Sequence, residues 1–296
     1  MGREISERKK AQAELAETLS SLDEKNQTLE GLSSKLSKYL SPQVYDSIFM
    51  GNRDVALTTE RKKLTVFFSD IKDFTQTTDD MQPEDLTALL NSYFSEMSAI
   101  ALKYGATIDK FIGDAMLMFF GDPETKGIRE DAILCVRMAI AMQERMELLE
   151  RKWHRMGYDK PFKMRIGINT GYCNVGNFGS EARMDYTIIG GEVNLAARLE
   201  GQADPGGVLV SSETYSLVQD IVKAEEREGI SVKGIRRTIR PYAISGLRNE
   251  TCQRSDRIVS YSQKGVELLV ELDKLAPEER TSLSTRLRSL ARELEN

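Results

Sequence analysis

TIDKFIGDAMLMFF, residues 107–120, decides the fold. Two apolar runs meet at Gly113-Asp114, a dipeptide suited to a tight reversal, so the stretch reads as two strands of a hairpin. Upstream, LTVFFSD (64–70) is a buried-strand run that ends in an aspartate. Between the two, Leu86, Leu89, Leu90, Tyr93, Met97 and Ile100 share one helical face, and Gly105 closes that helix. Downstream, residues 128–150 form a second amphipathic helix. FKMRIGINTG (162–171) and CNVGNFG (173–179) read as another strand pair, followed by DYTIIG (185–190), a helix at 191–201 and the strand GVLVS (207–211). The order strand, helix, two strands, helix, strand predicts an α+β sandwich of ferredoxin-like βαββαβ type, with helices on one face of a mainly antiparallel sheet.

The flanks differ in character. Residues 8–40 carry a heptad pattern: Leu15, Leu22, Leu29 and Leu36 are seven apart, with Leu19, Asn26, Ser33 and Leu40 on the alternate positions. Such a helix either joins two copies as a coiled coil, where the Asn would fix register, or packs alone on its own domain; four successive leucines favour the coil. The expected organisation is a signalling coiled-coil helix at 1–40, a short helix and polar linker at 41–61, the α+β domain at 62–246 and a helical tail at 247–296. Ser41 and Pro42 start the short helix as cap and first-turn residue. Leu283, Leu287, Leu290 and Leu294 follow 4-3-4 spacing in the tail behind Pro277.

Composition excludes several classes. A net charge of −5 supplies no basic field for nucleic acid. No apolar run approaches the roughly 18 residues of a membrane span, and the charged N-terminus lacks a signal core. Cys135, Cys173 and Cys252 are dispersed and odd in number, which argues against a disulfide framework or metal cluster and for a reducing, cytoplasmic location. The lone histidine, His154, falls near a helix end, so chemistry needing a Ser-His pair or several His ligands is excluded.

Three segments carry chemistry. In FFSDIKDFT (67–75), Asp70 ends a strand just before a helix start: it is either a helix cap or a ligand for a metal-bound polyphosphate, with free backbone N–H groups nearby for phosphate oxygens. In DKFIGDAM (109–116), Asp114 is either ordinary turn chemistry or a second carboxylate meeting Asp70 across adjacent strands, and Lys110 is either a snorkelling edge lysine or a ligand contact. In DYTIIGGEVNLAARLE (185–200), Asn194 and Arg198 are four apart on one helical face, and the Arg needs a structural carboxylate or a ligand phosphate.

Together these segments resemble the motifs of class III adenylate and guanylate cyclases, in that family's order and spacing, and GNFGS (176–180) and GVLVSSETY (207–215) fit the same pattern. The resemblance covers about residues 60–246. It implies that Asp70 and Asp114, with the Ile71 carbonyl, hold two divalent cations, Mg²⁺ or Mn²⁺. It implies that backbone groups of residues 72–75, including Phe74 and Thr75, hold the triphosphate. Lys110 and Thr187 would read the purine, Asn194 would orient the ribose and Arg198 would stabilise the transition state. Lys233 would contact phosphate, although Arg236, Arg237 and Arg240 crowd the same stretch. Guanylate cyclases of the family usually carry an acidic residue at the lysine position, so the Lys/Thr pair favours ATP. The resemblance also implies a homodimer with two composite sites.

Three other readings compete. A guanylate cyclase differs only in base choice. A catalytically inactive cyclase-like module that dimerises or binds nucleotide is opposed by the presence of every motif residue. A diguanylate cyclase is suggested by Gly190-Gly191-Glu192, but VNLAARLE after it is an apolar helix pattern. GREISERKKAQAEL (2–15) resembles the exit segment of a PAS-type sensor, so an upstream sensor is expected to act through the N-terminal helix.

Overall fold

A computed structural model of the chain describes residues 2–49, 56–79, 81–158, 162–229, 239–248, 258–263, 266–271 and 275–294. They divide into two compact units, Met1–Leu247 and Arg248–Asn296.

The first unit begins with helix α1 (Gly2–Leu36) and the short α2 (Pro42–Phe49), whose first turn is closed by Ser41 Oγ accepting from Val44 N at 3.4 Å. Strand β1 (Thr59–Ile71) follows, then α3 (Phe74–Thr78), α4 (Pro83–Tyr104), β2 (Thr107–Ile112) and β3 (Ala115–Phe120). Next come α5 (Ile128–Arg155), β4 (Met164–Ser180), β5 (Arg183–Ile189), α6 (Gly191–Gln202), β6 (Val208–Val210), α7 (Ser212–Val218), β7 (Val222–Glu226) and β8 (Tyr242–Leu247). The second unit contains the hairpin β9 (Ile258–Gln263) and β10 (Val266–Glu271), and helix α8 (Pro277–Leu294).

The strands of the first unit lie in the order β2-β3-β1-β4-β6-β8-β7, with β5 paired to β4. β1 is antiparallel to both β3 and β4, and β2 to β3, so β1-α4-β2-β3-α5-β4 is the ferredoxin-like unit the sequence predicts. Side chains alternate across the sheet, one face to each core. Phe67, Ile71, Met116, Met118, Met164 and Ile166 pack with Tyr93 and Met97 of α4 and Met138 and Met142 of α5. On the other side Leu64, Val66, Leu117, Phe119, Cys173 and Val175 pack with Ala196 of α6.

Three expectations change. The helices are not all on one face, because α6 covers the face opposite α4 and α5. FKMRIGINTG and CNVGNFG are not two strands but one strand of 17 residues. Gly171 suggests a turn, yet its role is clearance: a Cβ there would lie 2.6 Å from the side chain of Glu192. The tail is not helical throughout, since β9 and β10 precede α8.

Gly167 imposes a tighter constraint. A Cβ on it would lie 2.1 Å from the Ala196 carbonyl oxygen and 2.2 Å from the Glu200 amide nitrogen, so α6 rests directly on the β4 backbone. Overpacking of this kind typically costs about 1–3 kcal/mol. Gly167→Ala is therefore expected to lower the melting temperature by roughly 5 °C, at about 2–4 °C per kcal/mol, and to displace α6. An unchanged thermal melt with an unchanged far-UV spectrum would show that α6 can move away freely.

Candidate active site

Asp70 is the next-to-last residue of strand β1, and the pairing Ser69↔Met116 brings the β2–β3 reversal beside it. Gly113 takes a left-handed φ of 65° in that two-residue connection, a conformation that favours glycine, and Asp114 follows it. The two carboxylates converge on one amide: Ile71 N donates to Asp70 Oδ1 at 2.9 Å and to Asp114 Oδ2 at 3.1 Å. Burial, then the neighbouring Asp70 carboxylate, pushes Asp114 up to about 7. Paired hard-oxygen donors with unrelieved repulsion fit a divalent cation such as Mg²⁺ or Mn²⁺. Among the described residues no cluster of three or more His, Cys, Asp or Glu side chains is placed to hold a metal, so further ligands would come from backbone or substrate.

The chain then turns through Asp73, a non-glycine residue at φ 54°, into α3. Phe74 anchors this turn by packing against Phe162, with ring centres 5.8 Å apart, while Thr75 is exposed.

Lys110 and Thr187 come from different strands but meet the same side chain. Thr187 Oγ1 donates to Asp109 Oδ2 at 2.6 Å, Ile188 N donates to the same oxygen at 3.3 Å, and the Lys110 ammonium stands 3.3 Å from Asp109 Oδ1. The Asp109 side chain is 1% exposed and that of Lys110 41%. A β-bulge makes this grouping. Ile108 pairs with Met118 and Lys110 with Leu117, so Asp109 is the extra residue and its side chain joins that of Lys110. β5 is clasped from the far side as well: fully buried Asp122 engages Tyr186 Oη and accepts from Lys62 Nζ at 2.6 Å.

Asn194 and Arg198 are both exposed on α6, whereas Leu195, Ala196, Leu199 and Glu200 form its buried side. Among the described residues Arg198 has no structural carboxylate. Glu200, on the buried side of this helix, pairs with Arg165 Nη2 at 2.8 Å, and the same nitrogen lies 3.5 Å from Asp70 Oδ2. Burial, offset by Arg165, pushes Glu200 up to about 7. Lys233, Arg236 and Arg237 lie outside the described residues; Arg240 is 3.7 Å from Glu226.

Sequence reading missed Asp109 and Arg165. Strict alternation sends Asp109 to the face opposite Lys110, and only a bulge reverses that. Arg165 carries a usable signal: it is a lone cation in the apolar strand run MRIGI, one strand away from Asp70, with which it pairs in register.

Residues 57–246 match the family model described as the adenylate and guanylate cyclase catalytic domain. Adenylate cyclase 1 of Rhizobium meliloti is 32% identical over 189 residues, covering 63% of this chain and 28% of that protein. The chain thus spans less than a third of the length of that curated relative. The solved adenylyl cyclase CyaB from P. aeruginosa is 54% identical with a TM-score of 0.63, covering 65% of this chain and 98% of that one. A solved guanylyl cyclase is 32% identical with a TM-score of 0.62, covering 66% and 98%.

The carboxylate pair makes stability depend on pH. Asp114 titrates near 7 in the folded chain against about 3.9 unfolded, so the folded state binds more protons in that window and loses stability as pH rises through it. Asp114→Asn removes the repulsion. At pH 8 without divalent ions this variant is expected to melt a few degrees above wild type, and to lose the rise in melting temperature that Mn²⁺ gives the wild type. A variant that melted lower and still responded to Mn²⁺ would exclude Asp114 from a cation site.

Proposed function

The chain belongs to the adenylate and guanylate cyclase catalytic-domain family, and from that premise we propose that it converts ATP into 3′,5′-cyclic AMP and pyrophosphate at two sites shared between two copies of itself. The observation that carries ATP is the meeting of Lys110 and Thr187 around one buried carboxylate. A lysine only donates, which suits N1 of adenine and clashes with the N1–H of guanine. A threonine oxygen can accept from the 6-amino group of adenine.

The ribose 3′-oxygen attacks the α-phosphorus and the bond to the bridging oxygen breaks, releasing pyrophosphate. Asp70 and Asp114, with the Ile71 carbonyl, would hold two divalent cations, whose chemistry when bound is to neutralise phosphate charge and acidify the attacking hydroxyl. The Lys72 N–H donates to the Lys163 carbonyl at 2.8 Å, so the backbone N–H groups of residues 73–75 hold the triphosphate from the same chain. Asn194 orients the ribose from the partner chain. Arg198, also from the partner, donates to the phosphate oxygens as charge develops, in the manner of an arginine finger. His154 is exposed at the C-terminal turn of α5 and has no part in this scheme. Lys233 remains a candidate phosphate contact by resemblance alone.

Sharing between chains is supported by the separate settings of the two residue sets. The carboxylates sit at a strand end and its adjoining hairpin, whereas Asn194 and Arg198 face outward from α6. Helix α1 supports pairing too, because Leu15, Leu22, Leu29 and Leu36 are 54–63% exposed on it. In this scheme α1 is also the input from an upstream sensor, since a rotation of one copy against the other would shift Asp70 relative to the partner's arginine. A misplacement of about 1 Å can cost ~100-fold in rate. Among the described residues no helix is long and apolar enough to cross a membrane.

Two measurements test this reading. Asp70→Ala and Arg198→Ala chains are each expected to be inactive, and on co-expression to recover roughly a quarter of wild-type activity, because about half the dimers are mixed and each has one intact site. Confirmed heterodimers that stay inactive would place both residues within one chain's site. Deleting one to four residues near Gly31 is expected to change cyclic AMP production strongly and non-monotonically with the number removed; activity indifferent to every deletion would remove α1 as a transmitter.

A further inference from the structure

Hydroxyl groups are ambiguous readers. A threonine carries one proton and two lone pairs, so unless its proton is committed it can face either the amino group of adenine or the oxo group of guanine. Thr187 is therefore a weak discriminator by itself, and Lys110 distinguishes the two bases only at N1.

The geometry points to Asp109 as the positioning residue that makes Thr187 an obligate acceptor and so imposes preference for a 6-aminopurine nucleotide over a 6-oxopurine one. This rests on the proposed purine-reading roles of Lys110 and Thr187. Two donors meet Oδ2, Thr187 Oγ1 at 2.6 Å and Ile188 N at 3.3 Å, and the Lys110 ammonium stands as an ion-pair partner 3.3 Å from Oδ1. The Ile188 amide can only donate, which marks Oδ2 as an acceptor and points the Thr187 proton toward it. With that proton used, only lone pairs are left to Thr187 for a ligand, and these attract an amino group and repel an oxo group. Asp109 is 1% exposed on its side chain, so water does not compete for this bond.

The bulge at Asp109 supports this role. A regular strand would turn Asp109 away from Lys110, whereas the extra residue between Ile108↔Met118 and Lys110↔Leu117 turns both side chains together. The peptide N–H of Ile188, next to Thr187 on β5, fixes the carboxylate from across the strands.

The test compares wild type, Asp109→Ala, Asp109→Asn, Thr187→Val and the double variant Asp109→Ala/Thr187→Val as full chains. Two ratios are measured: kcat/KM for ATP over GTP, and the competition of ATP and GTP against a bound fluorescent ATP analogue, which needs no turnover. Asp109→Ala is expected to lower the ATP:GTP ratio by about tenfold or more, the effect of one buried polar mismatch. Asp109→Asn keeps an oxygen for Thr187 and Ile188 and is expected to hold the ratio within about twofold of wild type. In the Thr187→Val background, removing Asp109 is expected to change the ratio no further. A ratio unchanged in Asp109→Ala, with both nucleotides weakened in parallel, would reduce Asp109 to a structural residue. An equal drop in the Thr187→Val background would mean that it does not act through Thr187. A wild type that prefers GTP, or neither nucleotide, would instead overturn the purine-reading assignment itself and the role of Asp109 with it.

Discussion

The ladder between β1 and β4 is the constraint on which the rest depends. It runs without a break from Thr59↔Gly176 to Ile71↔Met164. At one end it presents Asp70. Along the middle of β4 it offers the glycine surface on which α6 rests. At the other end β4 continues into its pairing with β5, where Gly176 is opposite Thr187. A slip of one residue would send Phe67 and Val66 to the wrong cores and turn Asp70 inward. Register is therefore strongly specified by burial on both faces, and the positions of the carboxylate pair, the outward-facing helix and the Lys110–Thr187 cluster follow from it together.

Glycine is the second condition, and it acts through clearance. Gly167 lets the backbone of Ala196 and Glu200 approach β4, and Gly171 leaves room for the side chain of Glu192, whose carboxylate accepts from Asn169 Nδ2 at 2.7 Å. That approach brings Glu200 to Arg165, and Arg165 toward Asp70. Local charge at the strand end is thus coupled to helix seating: the cation beside Asp70 is itself held by the helix that carries Asn194 and Arg198.

Much of this was legible in the sequence because the signals were local and redundant. The Gly113-Asp114 hairpin, the aspartate closing an apolar strand and the helix near 191–201 each rest on period and turn chemistry, and the structure has them within a residue or two. The length of β4 was not legible, because a glycine that clears a neighbour looks the same in sequence as a glycine that makes a turn. Nor was the side of the sheet that α6 covers, since period tells which face of a helix is buried but not what buries it. Asp109 was hidden for a sharper reason: a bulge breaks the alternation from which its direction would be read. The hairpin at 258–271 follows the same pattern, with short apolar runs that suit either helix or strand.

One arrangement explains why the two charged groups of the proposed site stand apart within a chain. An arginine within reach of two converging carboxylates would pair with them, lowering Asp114 from near 7 and filling the space a cation needs. Arg198 escapes that fate by facing outward, and the arginine that does approach Asp70, Arg165, is kept from closing on it by its shorter bond to Glu200, 2.8 Å against 3.5 Å. Each chain then keeps an acidic pair that is short of positive charge and an exposed arginine that is short of negative charge. Among the described residues neither deficit is met within the chain. In the proposed scheme a polyphosphate carried with divalent cations would meet the first and its phosphate oxygens the second, with a second copy of the chain bringing both to one ligand without letting them neutralise each other first.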